Sequence, residues 1–368
     1  MKIKILLLAL SALMTCGTVL ADNDKEAQDV AEFRKLLTDS LSKANVTTWA
    51  LPDSLEPNAK MNFYLGVKGD MPKDGYPVFL YLHGSGPREH EWSNGLRLAK
   101  MFQDGPSMYI VPQIPQEGAW YRWWQRSKQW TLERILRILM SMPEVDKNRI
   151  YVFGISEGGY GSQRLASFYA DYWAAAGPMA GGEPLINAPV ENLAHVPLSF
   201  LTGDKDYMFY RHLLTKTTGE KLDSMQRLFP NEYKHRVELI PDKGHSIDYT
   251  PTTPWLAQHK RNAQPRHFIW ENLEMDGLKR NAFYNLQVLE ETDAYRTRYE
   301  FTANADNSID IKLLLTIFFN KTPLHDGAVI IENERIAYAG GILPLSQNNL
   351  NWKYGTRHRA ALGLSEVS

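Results

Sequence analysis

Short, dense apolar runs alternate along the chain with stretches whose apolar residues recur at helical spacing. The runs predict strands at Met61–Val67, Tyr76–Leu82, Met108–Val111, Arg149–Phe153, Trp173–Gly177, Val196–Thr202 and Arg236–Ile240. Helical spacing predicts helices around Ala27–Ser42 and over Thr131–Met142 and Gly159–Tyr172. Because strands that alternate with helices favour a parallel sheet covered on both faces, we expect a doubly wound, mainly parallel α/β fold.

The pattern of polar, charged and apolar residues changes at several points along the chain, and these changes divide it into regions. Residues 22–60 are polar and charged and form an N-terminal extension, and the α/β pattern occupies residues 61–275. Residues 276–312 are a connecting region or the start of an accessory domain. A boundary is predicted near Lys312, because residues 313–368 begin with a strongly apolar run followed by glycine-bounded segments. We expect this last region to be a small, incomplete α/β segment.

The first residues have the pattern of an export signal. Two lysines precede an apolar run, Ile5–Met14, and the tripeptide Val19–Ala21 matches a small-x-small cleavage site. This arrangement predicts a secretory signal peptide over residues 1–21 and export to the periplasm or the extracellular space. A lipoprotein signal at Cys16 is the less favoured alternative, because the residue before that cysteine is not of the usual small kind.

Composition narrows the classes of partner and cofactor. The 368 residues include 41 basic and 42 acidic side chains, for a net charge of -1, which argues against nucleic acid as the main partner. The single cysteine excludes an intramolecular disulfide and a cysteine zinc cluster. Since the N-terminal run is too short to span a bilayer comfortably, we expect no stable membrane span in the mature chain. The oligomeric state is not predicted.

The pentapeptide GISEG, Gly154–Gly158, follows a predicted strand and precedes a predicted helix. This is the G-x-S-x-G pattern in its strand–turn–helix context. A nucleophilic serine must sit on a sharp turn with its hydroxyl exposed, and the flanking glycines allow the backbone to bend there. Ser156 is therefore the candidate nucleophile.

A serine hydroxyl needs a general base, and that base needs an orienting carboxylate. Candidates for both follow Ser156 in the chain order acid, then histidine, each just beyond a predicted strand. We assign His245 as the base and Asp206 as the acid, with Asp204 as the competing carboxylate. As donors for an oxyanion we expect the backbone N–H groups of Glu157 and Ser85, the latter in the turn His83–Gly86.

Tryptophans crowd the segment after the Met108–Val111 strand. The candidates for an aromatic wall beside a bound substrate are Trp120, Trp123 and Trp124, with Trp130, Trp255 and Trp270 as further contributors. Packing of a long loop against the domain is the equally weighted alternative. An aromatic wall would suit an ester of a carbohydrate or of an aromatic acid.

The segments that carry these features are Tyr81–Gly86, Val145–Gly161, Leu201–Asp206 and Asp242–Ser246. Over about residues 60–275 the chain resembles an α/β-hydrolase, close to secreted esterases of the polyhydroxybutyrate-depolymerase or feruloyl-esterase type. The resemblance implies hydrolysis of a small-molecule or carbohydrate ester through an acyl-enzyme, with no metal or organic cofactor.

The C-terminal region carries two motifs of a different kind. Asp326 could hold a metal ion near a ribose hydroxyl, and the basic cluster Arg357–Arg359 offers donors for triphosphate oxygens. The candidate nucleotide-binding residues are Asp326, Gly327, Ala328, Gly355, Thr356, Arg357, His358 and Arg359.

The stretches Phe318–Ser346 and Tyr354–Glu366 resemble the catalytic (DAC) domain of diadenylate cyclases, over about residues 313–368. That resemblance implies ATP and Mg²⁺ or Mn²⁺ as ligands, and a nucleotidyltransferase that makes cyclic di-AMP from two ATP molecules. Because the match covers only part of such a domain, we expect the cyclase activity to be absent and favour the hydrolase.

Overall fold

The structure is a computed structural model that describes residues 5–7, 23–38, 45–115, 121–288, 294–304, 309–314, 328–332 and 335–341. Its strands are β1 (Ile5–Leu7), β2 (Asn45–Ala50), β3 (Lys60–Lys68), β4 (Tyr76–Leu82), β5 (Ser107–Pro112), β6 (Val145–Ile155), β7 (Ala175–Met179), β8 (Leu198–Gly203), β9 (His235–Ile240), β10 (His267–Leu273), β11 (Ala282–Phe283), β12 (Leu286–Val288), β13 (Arg296–Ala303), β14 (Ile309–Leu314), β15 (Ala328–Glu332) and β16 (Arg335–Gly341). Its α-helices are α1 (Asn23–Thr38), α2 (Arg88–Met101), α3 (Arg126–Ser141), α4 (Glu157–Phe168), α5 (Arg211–Leu228) and α6 (Thr252–Leu256). Three short 3₁₀ turns lie at Ala170–Tyr172, Val190–Leu193 and Met208–Tyr210.

The main sheet has eight strands in the order β2-β3-β5-β4-β6-β7-β8-β9. From β5 to β9 neighbouring strands are parallel, whereas β2 and β3 add antiparallel pairs at one end. The predicted mainly parallel α/β fold is confirmed. In a sheet of this type the carboxyl ends of the parallel strands form one edge, where sites are built.

Alternating side chains along the central strands supply two separate cores. On β4, Val78 and Leu80 belong to one buried cluster, while Phe79 and Tyr81 belong to the other. Since successive side chains of a strand point to opposite faces, the two clusters lie on the two sides of the sheet. All residues of β4 are buried, which explains its continuous apolar run.

Parts of the chain that follow β9 share a buried cluster with the main sheet. Strands β10, β13 and β14 form an antiparallel sheet, and Phe268, Trp270 and Tyr299 of that sheet join the larger buried cluster. The Arg280 guanidinium forms a bidentate ion pair with Asp171 beside α4. The boundary predicted near Lys312 falls inside β14, which continues this sheet.

The two ends of the chain are described only in part. Of the predicted signal peptide, residues 1–21, the structure describes β1, which pairs antiparallel with β12. Cys16 lies outside the described residues. Within the described part of the chain, every helix is too short or too polar to cross a membrane.

Candidate active site

Ser156 lies on the sharp turn between β6 and α4. Its backbone has φ 57° and ψ -115°, a left-handed conformation that is strained for a residue with a side chain. A methyl group on Gly154 or Gly158 would overlap backbone atoms, with Gly158 meeting the carbonyl of Leu82 on the adjacent strand. The flanking glycines therefore allow the helix to start directly against the sheet with the serine at its N-terminus.

Three side chains form a hydrogen-bonded chain at this edge of the sheet. His245 Nε2 lies 3.0 Å from Ser156 Oγ, and His245 Nδ1 lies 2.7 Å from Asp206 Oδ2. Asp206 is 2% exposed, whereas the His245 side chain is 44% exposed. The order and spacing are those of a nucleophile, a base and an orienting acid.

The turn after β8 determines which carboxylate meets the histidine. Asp206 N–H donates to the Gly203 carbonyl at 3.1 Å, which closes the turn and places the Asp206 side chain toward His245. Asp204 instead hydrogen-bonds through its backbone N–H to Ile240 on β9, and its Oδ1 is buried without a partner. In the structure Asp206, not Asp204, contacts His245.

Of the two predicted oxyanion donors, Glu157 follows the nucleophile directly in the chain, and Ser85 belongs to the turn whose Gly84 approaches Ser156. Glu157 is the first residue of α4, where backbone N–H groups have no partner within the helix. Gly84 approaches Ser156 so closely that a methyl group on it would lie 3.4 Å from Ser156 Cβ. Ser85 follows directly and is exposed.

The backbone of the turn at residues 83–86 is held by three buried side chains. Tyr121 Oη donates to the Gly84 carbonyl at 2.9 Å, and Trp123 Nε1 donates to the His83 carbonyl at 3.0 Å. His83 Nδ1 lies 2.8 Å from the Gly84 carbonyl, while its Nε2 accepts from Ile114 N–H. Burial lowers the pKa of His83 to about 4, so its imidazole is neutral and able to donate and accept.

The side chain of Glu157 is buried next to the nucleophile. Burial raises the pKa of its carboxyl to about 7, and the guanidinium of Arg122, 3.6 Å away, opposes that rise. Glu157 Oε1 is buried without a hydrogen-bond partner. At neutral pH a substantial fraction of this carboxyl is therefore uncharged.

The tryptophans predicted to form an aromatic wall differ in their exposure, and at Trp123 and Trp270 the structure corrects the prediction. Trp123 is 2% exposed and packs against Gly161 and His83, so it is a core residue of this loop and presents no open face. Trp124 is partly exposed and stacks on the Arg164 guanidinium at 4.0 Å. Trp270 is also buried in the core. Trp120 lies outside the described residues.

Two further tryptophans named from the sequence, Trp130 and Trp255, are partly buried. Trp130 is half-buried at the edge of the larger core cluster. Trp255 packs on His259 and lies 5.3 Å from the Arg236 guanidinium.

Most of the candidate nucleotide-binding residues lie in C-terminal segments that the structure does not describe. Asp326, Gly327 and the cluster 355–359 lie outside the described residues, and Ala328 is the first residue of β15. Among the described residues, no group of three or more His, Cys, Asp or Glu side chains is arranged to hold a metal ion.

The close approach at Gly158 gives a stability prediction. We expect Gly158→Ala to destabilise the protein by about 3 kcal/mol or more, because the added methyl group meets backbone rather than a side chain that could move. Thermal and denaturant unfolding measure this. Gly244→Ala is the matched control: no atom lies within 4 Å of the added carbon, and its stability should change by less than about 0.5 kcal/mol. Equal stability of the two variants would contradict the described turn.

The sheet order, the helices on its faces and the serine turn after β6 together define an α/β-hydrolase fold. A separate similarity is found by sequence in the C-terminal part of the chain. Residues 275–368 match the family model described as DisA bacterial checkpoint controller nucleotide-binding. This match starts earlier than the segment beginning at residue 313 that the motifs indicated.

Comparison with individual proteins finds relatives of two kinds. A diadenylate cyclase of Listeria monocytogenes serotype 1/2a (strain 10403S) is 57% identical over 61 residues, 16% of this chain and 22% of the cyclase. NocK of Nocardia uniformis subsp. tsuyamanensis, an esterase by name, is 29% identical over 147 residues, 36% of this chain and 41% of NocK. The chain thus spans about a fifth of that cyclase and two fifths of NocK.

Among solved structures, LpqC, a poly(3-hydroxybutyrate) depolymerase from Bordetella parapertussis, is similar to this chain. The TM-score is 0.45 at 14% identity, and the alignment covers 63% of this chain and 91% of LpqC.

Proposed function

We propose that this protein is a serine hydrolase that cleaves carboxylic esters through an acyl-enzyme. The observation that carries the proposal is the continuous hydrogen-bonded chain from Ser156 Oγ through His245 to the buried Asp206 carboxylate. A binding protein has no use for a strained serine whose hydroxyl meets an imidazole held by a carboxylate. Nucleophilic hydrolysis uses all three features.

In the acylation step, Ser156 Oγ attacks the ester carbonyl carbon while His245 Nε2 takes the hydroxyl proton. Asp206 accepts a hydrogen bond from His245 Nδ1–H, which fixes the tautomer with Nε2 free and stabilises the imidazolium that forms. When the tetrahedral intermediate collapses, the bond to the alcohol oxygen breaks. His245 gives its proton to that oxygen, and the alcohol leaves.

The charge that develops on the carbonyl oxygen needs donors in fixed positions. The backbone N–H of Glu157 at the start of α4 and that of Ser85 in the turn 83–86 are the proposed pair. Tyr121 and Trp123 hold the carbonyls of this turn, which favours its N–H groups facing the nucleophile. Because burial raises the pKa of Glu157 to about 7, part of this carboxyl is uncharged near neutral pH, which lessens the negative charge next to the nucleophile. Water activated by His245 then hydrolyses the acyl-enzyme.

For the substrate we propose an acyl ester of a carbohydrate or of an aromatic acid. Support comes from the partly exposed Trp124 and from the exposed aromatic side chains of Tyr207, Phe209 and Tyr210, which follow Asp206 directly. The reaction uses water as its second substrate and draws on no metal or organic cofactor. Export by residues 1–21 stays a prediction.

The proposal is tested with the purified full chain and a short-chain nitrophenyl ester. We expect hydrolysis, together with stoichiometric labelling by a fluorophosphonate that maps to the peptide containing Ser156. Folded protein that neither hydrolyses such esters nor reacts with the phosphonate at Ser156 would contradict the proposed function.

The family match at residues 275–368 favours a second candidate, a diadenylate cyclase. The residues that would bind ATP and metal lie outside the described residues, so this candidate depends on sequence similarity alone. It requires that the purified chain make cyclic di-AMP from ATP with Mg²⁺ or Mn²⁺, and that Asp326→Asn lose the product. Ser156→Ala is the control, since it leaves this segment intact. No cyclic dinucleotide from the wild-type chain would remove the candidate.

A further inference from the structure

The Asp206 carboxylate has a second partner on the side away from His245. Arg211 Nη1 donates to Asp206 Oδ1 at 3.0 Å, while Oδ2 faces His245 Nδ1. Arg211 is 6% exposed and Asp206 is 2% exposed, so this ion pair is largely removed from water. Each carboxylate oxygen thus has its own partner. A carboxylate held at both oxygens is unable to rotate away from the imidazole.

The Arg211 guanidinium is itself held from three sides. Its Nε donates to Tyr160 Oη at 2.9 Å, and Tyr160 lies on α4, one turn after the nucleophile. The rings of Phe209 and Tyr160 lie 5.1 Å and 5.7 Å from its central carbon, within the range of cation–π attraction. The arginine therefore ties the turn that carries Asp206 to the helix that begins beside Ser156.

The position of Arg211 in its own helix is unfavourable for a cation. It is the first residue of α5, whose first turn contains no acidic residue. Because the N-terminus of a helix carries partial positive charge, an arginine there gains nothing from the helix. The stabilising partner is Asp206, and a role in helix stability alone does not account for the placement.

The backbone before Arg211 is strained in a way that brings Phe209 onto the guanidinium. Phe209 has φ 55° and Tyr210 has φ 58°, left-handed values that bulky residues rarely adopt. Phe209 is 66% exposed, so burial of its own ring does not explain the conformation. Strain of this kind is characteristic of functional sites. Here it places an aromatic face over the cation that holds Asp206.

We propose that Arg211 is a positioning residue of the hydrolase. It fixes the rotation of the Asp206 carboxylate and, by its charge, weakens the stabilisation that Asp206 gives to protonated His245. This inference rests on the proposed function.

Other charged or titratable groups lie around this cluster, and they are unchanged in the Arg211 variants. They are Glu157 and Tyr160 on α4, Glu183 after β7, His212 on α5 and Tyr249 before α6, while Asp204, Lys205 and Lys243 belong to the two adjacent turns through backbone hydrogen bonds. Lys205 forms an exposed ion pair with Asp242.

The test compares kcat/KM against pH for the wild type, Arg211→Met and Arg211→Lys. For Arg211→Met we expect the acid limb of the profile to shift to higher pH by roughly one unit, because the positive charge in contact with the Asp206 carboxylate is gone. The plateau should fall by about tenfold to a hundredfold from lost positioning. Arg211→Lys keeps the charge but lacks the planar fork, so its plateau should fall while its acid limb stays near that of the wild type.

Arg227→Met is the matched control, since Arg227 lies exposed in the last turn of the same helix. It should leave both limb and plateau unchanged. A folded Arg211→Met enzyme with a plateau within twofold of the wild type and an unmoved acid limb would overturn the proposal. So would equal losses in the methionine and lysine variants with no movement of the limb.

A second variant covers the case in which Arg211→Met fails to fold. Tyr160→Phe removes one anchor of the guanidinium and keeps its charge, so a several-fold lower plateau and an unmoved limb are expected. A Tyr160→Phe plateau equal to that of the wild type would then overturn the proposal. Failure of the proposed function itself is recognised separately, because the wild type would then show neither hydrolysis nor phosphonate labelling of Ser156.

Discussion

Replacing Ser156 with alanine is expected to lower kcat/KM for a short-chain nitrophenyl ester by a factor of about 10⁴ or more. In the proposed mechanism the serine oxygen is the atom that forms the covalent bond to the acyl group. His245 and Asp206 remain in Ser156→Ala, but no acyl-enzyme is possible. The residual rate then reflects only binding of the ester beside the oxyanion donors.

Ser156→Ala should lose ester hydrolysis while keeping its folded structure. The alanine methyl group replaces the serine Cβ without adding volume, so the unfolding temperature is expected to stay close to that of the wild type. Phosphonate labelling and any pre-steady-state burst of nitrophenol should disappear together. A Ser156→Ala protein that retains a tenth of wild-type hydrolysis, in a preparation free of other esterases, would contradict the assignment of the nucleophile.

The sequence predicts those parts of the fold that depend on local pattern. The continuous apolar run Tyr76–Leu82 marks a strand buried on both faces, and the structure has β4 at those residues. The pentapeptide Gly154–Gly158 marks the turn because only glycine tolerates the contacts on either side of Ser156. In both cases the signal lies within a few consecutive residues.

Elements whose buried face is small or polar were missed. Helix α5 buries Thr215, Thr218 and Gly219 as well as Leu222, so its inner face does not read as an apolar stripe. Helix α2 buries only Trp92, Gly95 and Ala99. These helix faces are buried because other elements pack against them, and their own residues do not form an apolar pattern that would indicate it.

Contacts at the candidate site are also not predictable from the pattern of residues along the chain. Arg211 and Tyr160 contact through the side-chain atoms of two separate helices, and no sequence spacing indicates that contact. Nor does the sequence show that Phe209, a large apolar residue, is exposed. The choice between Asp204 and Asp206 was open because it depends on how the turn after β8 closes.

Asp206→Asn is expected to lower kcat for ester hydrolysis by about 10⁴-fold, whereas Asp204→Asn should change it by less than about threefold. An asparagine at 206 can present its amide N–H₂ toward His245 Nδ1, which favours the tautomer whose Nε2 carries the proton. That tautomer is unable to take the proton of Ser156. It also leaves the imidazolium without a carboxylate and Arg211 without its anionic partner.

The two substitutions remove the same chemical group two residues apart on one turn, so each is the control for the other. Asp206 uses both oxygens, one toward His245 and one toward Arg211, while Asp204 Oδ1 has no partner. Steady-state kinetics at the pH of maximal activity, with unfolding temperatures measured alongside, separate loss of catalysis from loss of fold. If Asp204→Asn were the inactive variant and Asp206→Asn retained activity, the hydrogen bond between Asp206 and His245 would not be the one used in catalysis.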